Sequence, residues 1–298
     1  LKYPDVPAQY TRTTKDGDFS FETYKQLFDT SQLFAAGLLA LGTVREEKIG
    51  LISDNRKEWE QSDMGIMTIG ACDVPRGCDA SENDLKYILS FTEVKTCVVE
   101  NSTQIKKIMN VKNDIPTLKQ FIIFDQISDE VQSLCDASNV KIYTFQQILD
   151  LGKAFTEKNP NRVNEEIEKG QWDDIAAIIF TSGTTGTPKG VMLSHGNFIT
   201  QLDELQERIY LYPGDKAICV LPVWHVFQRL VEYVILSQAA SICYSKPIGS
   251  VLLPDMLKLN PTLLPAVPRV FEAVYEGVKK KMRRTGGIVE GLFNFFTS

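Results

Sequence analysis

Two spacings of apolar residues alternate along the chain: three-and-four steps that mark helix faces, and short unbroken runs that mark buried strands. Residues 21–41 show the helical spacing, with Gly42 as a stop. Residues 48–53 read as a strand, and Asn55 as the cap of a helix running to Ala71. Further strands are predicted at 72–76, 95–100, 118–125 and 140–145, with helices over 81–92 and 102–109. Residues 159–170 turn polar and charged, which reads as a connection between two sub-domains, 1–160 and 161–298, or as a short surface helix. The second series runs strand 174–180, loop 181–190, helix 195–209, strand 217–222, helix 227–239 and strand 242–245. Strand 262–267 and a helix of about four turns from Arg269 complete it. This alternation predicts an α/β fold of two sub-domains, each a mostly parallel sheet flanked by helices.

The loop Thr181-Ser-Gly-Thr-Thr-Gly-Thr-Pro-Lys-Gly190 carries the densest chemistry. Gly183, Gly186 and Gly190 permit close backbone approach. Thr181, Ser182, Thr184, Thr185 and Thr187 offer hydroxyls, and Lys189 a positive charge, to a polyphosphate. The spacing is not the Walker pattern, because Pro188 precedes Lys189 and Gly190 follows it. Residues 191–194 look extended and Ser194 reads as a helix cap, so the loop is expected to join two strands. Leu221-Pro-Val-Trp-His-Val-Phe-Gln-Arg229 sets Trp224 and His225 just past a strand, at the end where open α/β sheets bind ligands.

Composition narrows the class. The 298 residues are 43% hydrophobic and 23% charged, as in ordinary globular chains. A net charge of −6 argues against a nucleic-acid partner. Six cysteines lie far apart without metal-type pairing, and only two histidines are present, so reduced, buried thiols are expected. The nearest candidate for a membrane span, 230–244, contains Glu232, Ser237 and Gln238 and is too short to cross a bilayer. A cytoplasmic location is expected. The basic run Lys279–Arg284 followed by Leu292-Phe-Asn-Phe-Phe296 reads either as a solvated helix face before buried aromatics or as a peripheral contact with the inner face of a membrane.

The string 181–190 with Ser194-His-Gly-Asn-Phe198 resembles the phosphate-binding signature of the adenylate-forming superfamily. Pro261-Thr-Leu-Leu-Pro-Ala-Val-Pro-Arg-Val-Phe-Glu272, Asp73-Val-Pro-Arg-Gly77 and Asn55-Arg-Lys-Glu-Trp59 are similar to segments of its long-chain fatty acid–CoA ligase branch. The resemblance spans nearly the whole chain and implies the amino-terminal domain of an acyl-CoA synthetase. It implies that Thr181, Ser182, Gly183, Thr184, Thr185, Gly186 and Lys189 hold the ATP phosphates, with Thr181 a hydroxyl contact to Mg²⁺. It also implies that His225 orients the acid while Trp224 and Phe227 shape its pocket. Some long-chain enzymes carry a tryptophan gate four positions after this histidine; Arg229 stands there in this chain.

The implied reaction joins a fatty acid and ATP into an acyl-adenylate, which the CoA thiol then attacks. A fatty carboxylate is already ionised, so the work lies in bringing two anions together. The start at Leu1, inside patterned sequence, reads as a piece of a longer protein. The family's Tyr-Gly-x-Thr-Glu motif, ribose aspartate and carboxy-terminal lid are not in this sequence, so the chain by itself is expected to be inactive. Alternative readings are a non-catalytic nucleotide-binding remnant or interaction module, and another acyl or aryl adenylate-forming ligase.

Overall fold

The computed structural model describes residues 1–12, 17–181 and 188–297. The first half contains β1 (Pro7–Arg12), β2 (Phe19–Thr23), α1 (Tyr24–Ala40), β3 (Lys48–Ile52), α2 (Lys57–Thr68) and β4 (Cys72–Arg76). It continues with α3 (Glu82–Phe91), β5 (Thr96–Val99), α4 (Ser102–Asn110), β6 (Gln120–Ile123), α5 (Asp129–Ala137), β7 (Lys141–Thr144) and α6 (Phe145–Lys158). After α7 (Arg162–Glu168) come β8 (Ile175–Thr181), β9 (Lys189–Ser194), α8 (His195–Gln206), β10 (Lys216–Cys219), α9 (Val226–Ser237) and β11 (Ser241–Tyr244). Helices α10 (Gly249–Leu259), α11 (Pro268–Thr285) and α12 (Gly287–Thr297) follow.

A seven-stranded sheet runs β7-β6-β5-β3-β4-β8-β9, parallel except for β9, and a four-stranded sheet runs β10-β11-β1-β2. Both sheets mix strands from before and after residue 160. In the larger sheet, side chains alternate between two buried faces, as a covered parallel sheet requires. Val98 and Ile122 meet Phe34, Leu38, Trp59 and Ile148 from α1, α2 and α6. Their neighbours Cys97, Val99, Phe121 and Ile123 face Leu85, Leu89, Ile105 and Val131 from α3, α4 and α5.

Several elements differ from the pattern-based reading. Residues 21–23, expected to open the helix, belong instead to β2 and pair with β1, because Thr23 caps α1 through a reciprocal box with Gln26. The segment 159–170 contains helix α7. Helices α5 and α6, which apolar spacing did not mark, are begun by Ser128 and by a Thr144–Gln147 box. The strand expected at 262–267 is one parallel bridge, Leu263 to Ala217. All six cysteines are free, and Cys78 alone among them is not buried. Helix α11 has no buried residue, and Phe295 and Phe296 of α12 are 75% and 79% exposed, so these aromatics are not buried as one reading had them. No helix among the described residues is long and apolar enough to cross a membrane.

Helices α1 and α6 cross at two glycines. A Cβ on Gly152 would lie 1.9 Å from the Leu33 carbonyl oxygen, and one on Gly37 would lie 2.3 Å from that of Ile148. These are backbone atoms, so relief requires the helices to part. Gly152→Ala is therefore expected to cost about 1–3 kcal/mol of stability, as overpacking does. Urea unfolding measures it, and an unchanged midpoint would contradict this tight crossing.

Candidate functional site

The loop 181–190 joins two strands, as its flanking pattern predicts: β8 and β9 form an antiparallel hairpin in which Thr181 pairs with Lys189. Directly opposed residues share a sheet face, so an exposed hydroxyl and an exposed ammonium stand side by side at the mouth of the loop. Ser182, Gly183, Thr184, Thr185 and Gly186, the other predicted phosphate contacts, lie outside the described residues. Beyond β9, Ser194 and Asn197 form a capping box that starts α8.

The second predicted element follows β10. His225 caps α9: its Nδ1 accepts the Phe227 N–H at 3.3 Å. With Nδ1 committed as acceptor, the neutral ring carries its proton on Nε2, which is then a donor. His225 and Phe227 are exposed, and Trp224 is half-buried. The Arg76 guanidinium lies 5.0 Å from the centre of the Trp224 ring. A Cβ on Gly77 would fall 2.2 Å from the indole Nε1, so only glycine leaves room for this ring. Asn55 does not cap α2, whose cap Arg56 makes no side-chain capping bond. Its amide instead reaches the turn before Trp224, donating to the Leu221 carbonyl at 2.6 Å and accepting from the Val223 N–H at 2.9 Å.

These contacts bring the two elements to one end of the larger sheet. Asp73 of β4 pairs with Ala177 of β8. The two strands are parallel, β4 ending at Arg76 and β8 at Thr181, so their carboxyl ends lie at the same edge. The Trp224–His225 turn, seated on Arg76 and Gly77, and the mouth of the loop thus share the carboxyl edge of β4 and β8. Sequence reasoning quoted Asn55, Arg76 and Gly77 within similar segments but gave none of them a part in this turn.

Arg229, where a gate residue stands in some long-chain enzymes, is fully buried. Its guanidinium donates to Asp63 of α2 and to both carboxylate oxygens of Asp73, at 3.0 and 3.1 Å. Its Nε donates to the Tyr233 hydroxyl at 2.7 Å, and Tyr233 in turn donates to Asp63. The cation also lies over the rings of Phe198, Trp59 and Tyr233 at 5.1–5.7 Å. Arg229 is thus a fixed strut between α9, α2 and β4. Two further buried carboxyls, Glu60 and Glu232, have no cation within hydrogen-bonding distance among the described residues. Burial, with Asp63 nearby, pushes Glu232 up to about 8, although Gln228 donates to it.

At the carboxyl ends of β3, β4 and β5, Asp54, Cys78 and Glu100 bring one oxygen or sulfur each within 4.8 Å of one another. Burial, Glu100 and Asp54 push the Cys78 thiol up, so it is a neutral thiol at ordinary pH. Glu100 is already engaged by Ser53 Oγ and the Asp54 N–H, at 3.0 and 2.9 Å.

A sequence profile for the family described as AMP-binding enzyme matches residues 2–291. A chloroplastic long-chain-fatty-acid–[acyl-carrier-protein] ligase of Arabidopsis thaliana is 33% identical over 87% of this chain and 36% of its own length. A peroxisomal long chain acyl-CoA synthetase of the same plant is 26% identical over 93% of this chain and 38% of its own. The chain thus spans under two-fifths of the length of these relatives. Among solved structures, the adenylation domain of a carboxylate reductase from Mycobacterium chelonae superposes with a TM-score of 0.80 at 19% identity, over 96% of this chain and 47% of that one. That likeness supports the fold.

The buried carboxyls carry a pH dependence with a definite sign. Glu232 keeps its proton in the folded chain up to about 8, whereas an unfolded chain releases it near 4.5. Between those values the native state binds more protons, so stability falls as pH rises through the window. Urea midpoints from pH 5 to pH 8 are expected to decline, and Glu232→Gln is expected to flatten that decline. A variant with the parent's slope would remove Glu232 as the source.

Proposed function

The chain belongs to the AMP-binding enzyme family, and from that premise we propose that it carries the phosphate-binding and acid-orienting part of an enzyme that activates a long-chain fatty acid. The reaction is attack of the fatty carboxylate on the α-phosphate of ATP, giving acyl-adenylate and pyrophosphate, followed by attack of the CoA thiol on the acyl carbon, which forms the thioester and releases AMP and the thiol proton. The observation that carries this reading is the convergence of Thr181 and Lys189 with the Trp224–His225 turn at one carboxyl sheet edge.

Each described residue has a chemical part. The Lys189 ammonium, at the first position of β9, neutralises phosphate charge at the loop mouth. His225, with Nδ1 held by the Phe227 amide, presents Nε2–H to one carboxylate oxygen and leaves the other free to attack. No general base is needed, because the acid is already ionised, and the imidazole orients it as a hydrogen-bond donor. Trp224 and Phe227 offer apolar surface beside that donor. The exposed Thr181 hydroxyl is a hard oxygen suited to Mg²⁺, which when bound offsets phosphate charge. A second acceptor, the thiol of an acyl carrier protein, is favoured by the 33%-identical relative. Supplying the full-length protein with CoA or with holo-acyl carrier protein separates the two.

Lys189→Ala is expected to weaken Mg·ATP binding tenfold or more, since a charged hydrogen bond is worth about 1.5–3 kcal/mol. Palmitate binding should be unchanged. Calorimetric titration of each ligand decides this, and parental ATP affinity would reduce Lys189 to a surface charge. His225→Ala is expected to do the reverse, weakening palmitate binding severalfold and leaving ATP binding intact. An equal loss for both ligands would contradict its assignment to the acid.

A further inference from the structure

The geometry points to Asn55 as a positioning residue for the acid-orienting turn, an inference that rests on the acid-activating reading above. Asn55 follows β3 in the larger sheet, while the turn it grips follows β10 in the smaller one, 166 and 168 residues further along. Both ends of its side-chain amide are used. Nδ2 donates to the Leu221 carbonyl and Oδ1 accepts from the Val223 N–H, so one planar group matches a donor and an acceptor on the same stretch of backbone. A carboxylate could satisfy only the second of these, and a hydroxyl is too short to span both.

The grip is aimed at the reactive end of the turn. Val223 is 1% exposed and packs in the cluster that holds Trp59 and Leu51, so the turn is pinned by an apolar side chain where Asn55 pins its backbone. The His225 N–H bonds the Pro222 carbonyl at 3.0 Å, which closes the turn tightly. Four residues after His225, Arg229 locks α9 to Asp63 and Asp73. His225 therefore stands between two anchors: Asn55 fixes the chain entering it, and Arg229 fixes the helix leaving it. Asn55 is half-buried and touches neither Trp224 nor His225 by hydrogen bond, so it acts through the backbone.

The chain contains two histidines and three tryptophans, which makes the consequence readable by NMR. In Asn55→Asp and Asn55→Ala, the indole N–H resonance of Trp224 and the imidazole resonances of His225 are expected to move or broaden. Those of Trp172 and His195, away from the turn, are expected to stay in place, with assignments taken from Trp224→Phe and His225→Gln. Palmitate affinity should fall about tenfold while Mg·ATP affinity holds. Asn55→Asp, whose carboxylate can keep the Val223 bond but not the Leu221 bond, should give a smaller change than Asn55→Ala, and Asn55→Ser serves if neither folds. Parental Trp224 and His225 resonances in a folded Asn55 variant, together with parental palmitate affinity, would overturn the inference. A full-length parent that binds neither ligand would instead sink the acid-activating reading, and the resonance shifts would still decide whether Asn55 sets the turn.

Discussion

A guanidinium with no exposed surface can remain in a protein core only if its charge and its donors are matched. Arg229 meets that condition through Asp63 and Asp73, with Tyr233 closing the circuit. The two carboxylates come from α2 and β4, on the larger sheet, while Arg229 belongs to α9, which packs on the smaller one. Removing one partner would strand a buried charge, a loss typically worth about 3–5 kcal/mol. The cluster therefore ties the layers together at a defined point more strictly than apolar contact could, because its hydrogen bonds require direction as well as proximity.

That tie explains the placement of the candidate site. With α9 fixed, its amino-terminal cap His225 cannot drift, and the preceding turn is drawn over the ends of β3 and β4. Arg76 and Gly77 then form the seat of Trp224, one by presenting a cation to the ring and the other by having no side chain. The neighbouring strand β8 ends at Thr181, so the groups proposed to bind phosphate and the acid share one edge although they come from different supersecondary units. In some long-chain enzymes the position of Arg229 holds a gate. Here the side chain is anchored on three sides, and that motion is not available to it.

The excess of buried carboxyls over cations has a cost that falls on the pH scale. Glu60 and Glu232 are tolerated because burial keeps their protons on, which turns two charges into two polar groups. Neither Glu60 oxygen has a hydrogen-bond partner among the described residues, so even the neutral form is poorly satisfied. A strut so surrounded favours a well-defined arrangement over maximum stability.

Much of this was legible in the chain itself. Isoleucine-rich runs such as residues 175–180 are strands because only burial rewards such surface, and Ser194 followed by Asn197 starts a helix through local hydrogen bonds. The composition of residues 181–190 and the turn Trp224-His225 mark chemistry without reference to distant sequence. What the chain alone left open depends on partners far away along it. Asn55 reads as a helix cap because Asn is a good cap, yet its amide is taken by backbone more than 160 residues later. Residues 21–23 read as helix until β1 offers them a ladder, and Arg229 reads only as a departure from a tryptophan gate until Asp63 and Asp73 enclose it. Local propensity and periodicity are properties of neighbours in sequence. The pairing of a buried charge and the docking of a turn are properties of neighbours in space, and only the tertiary fold decides who those are.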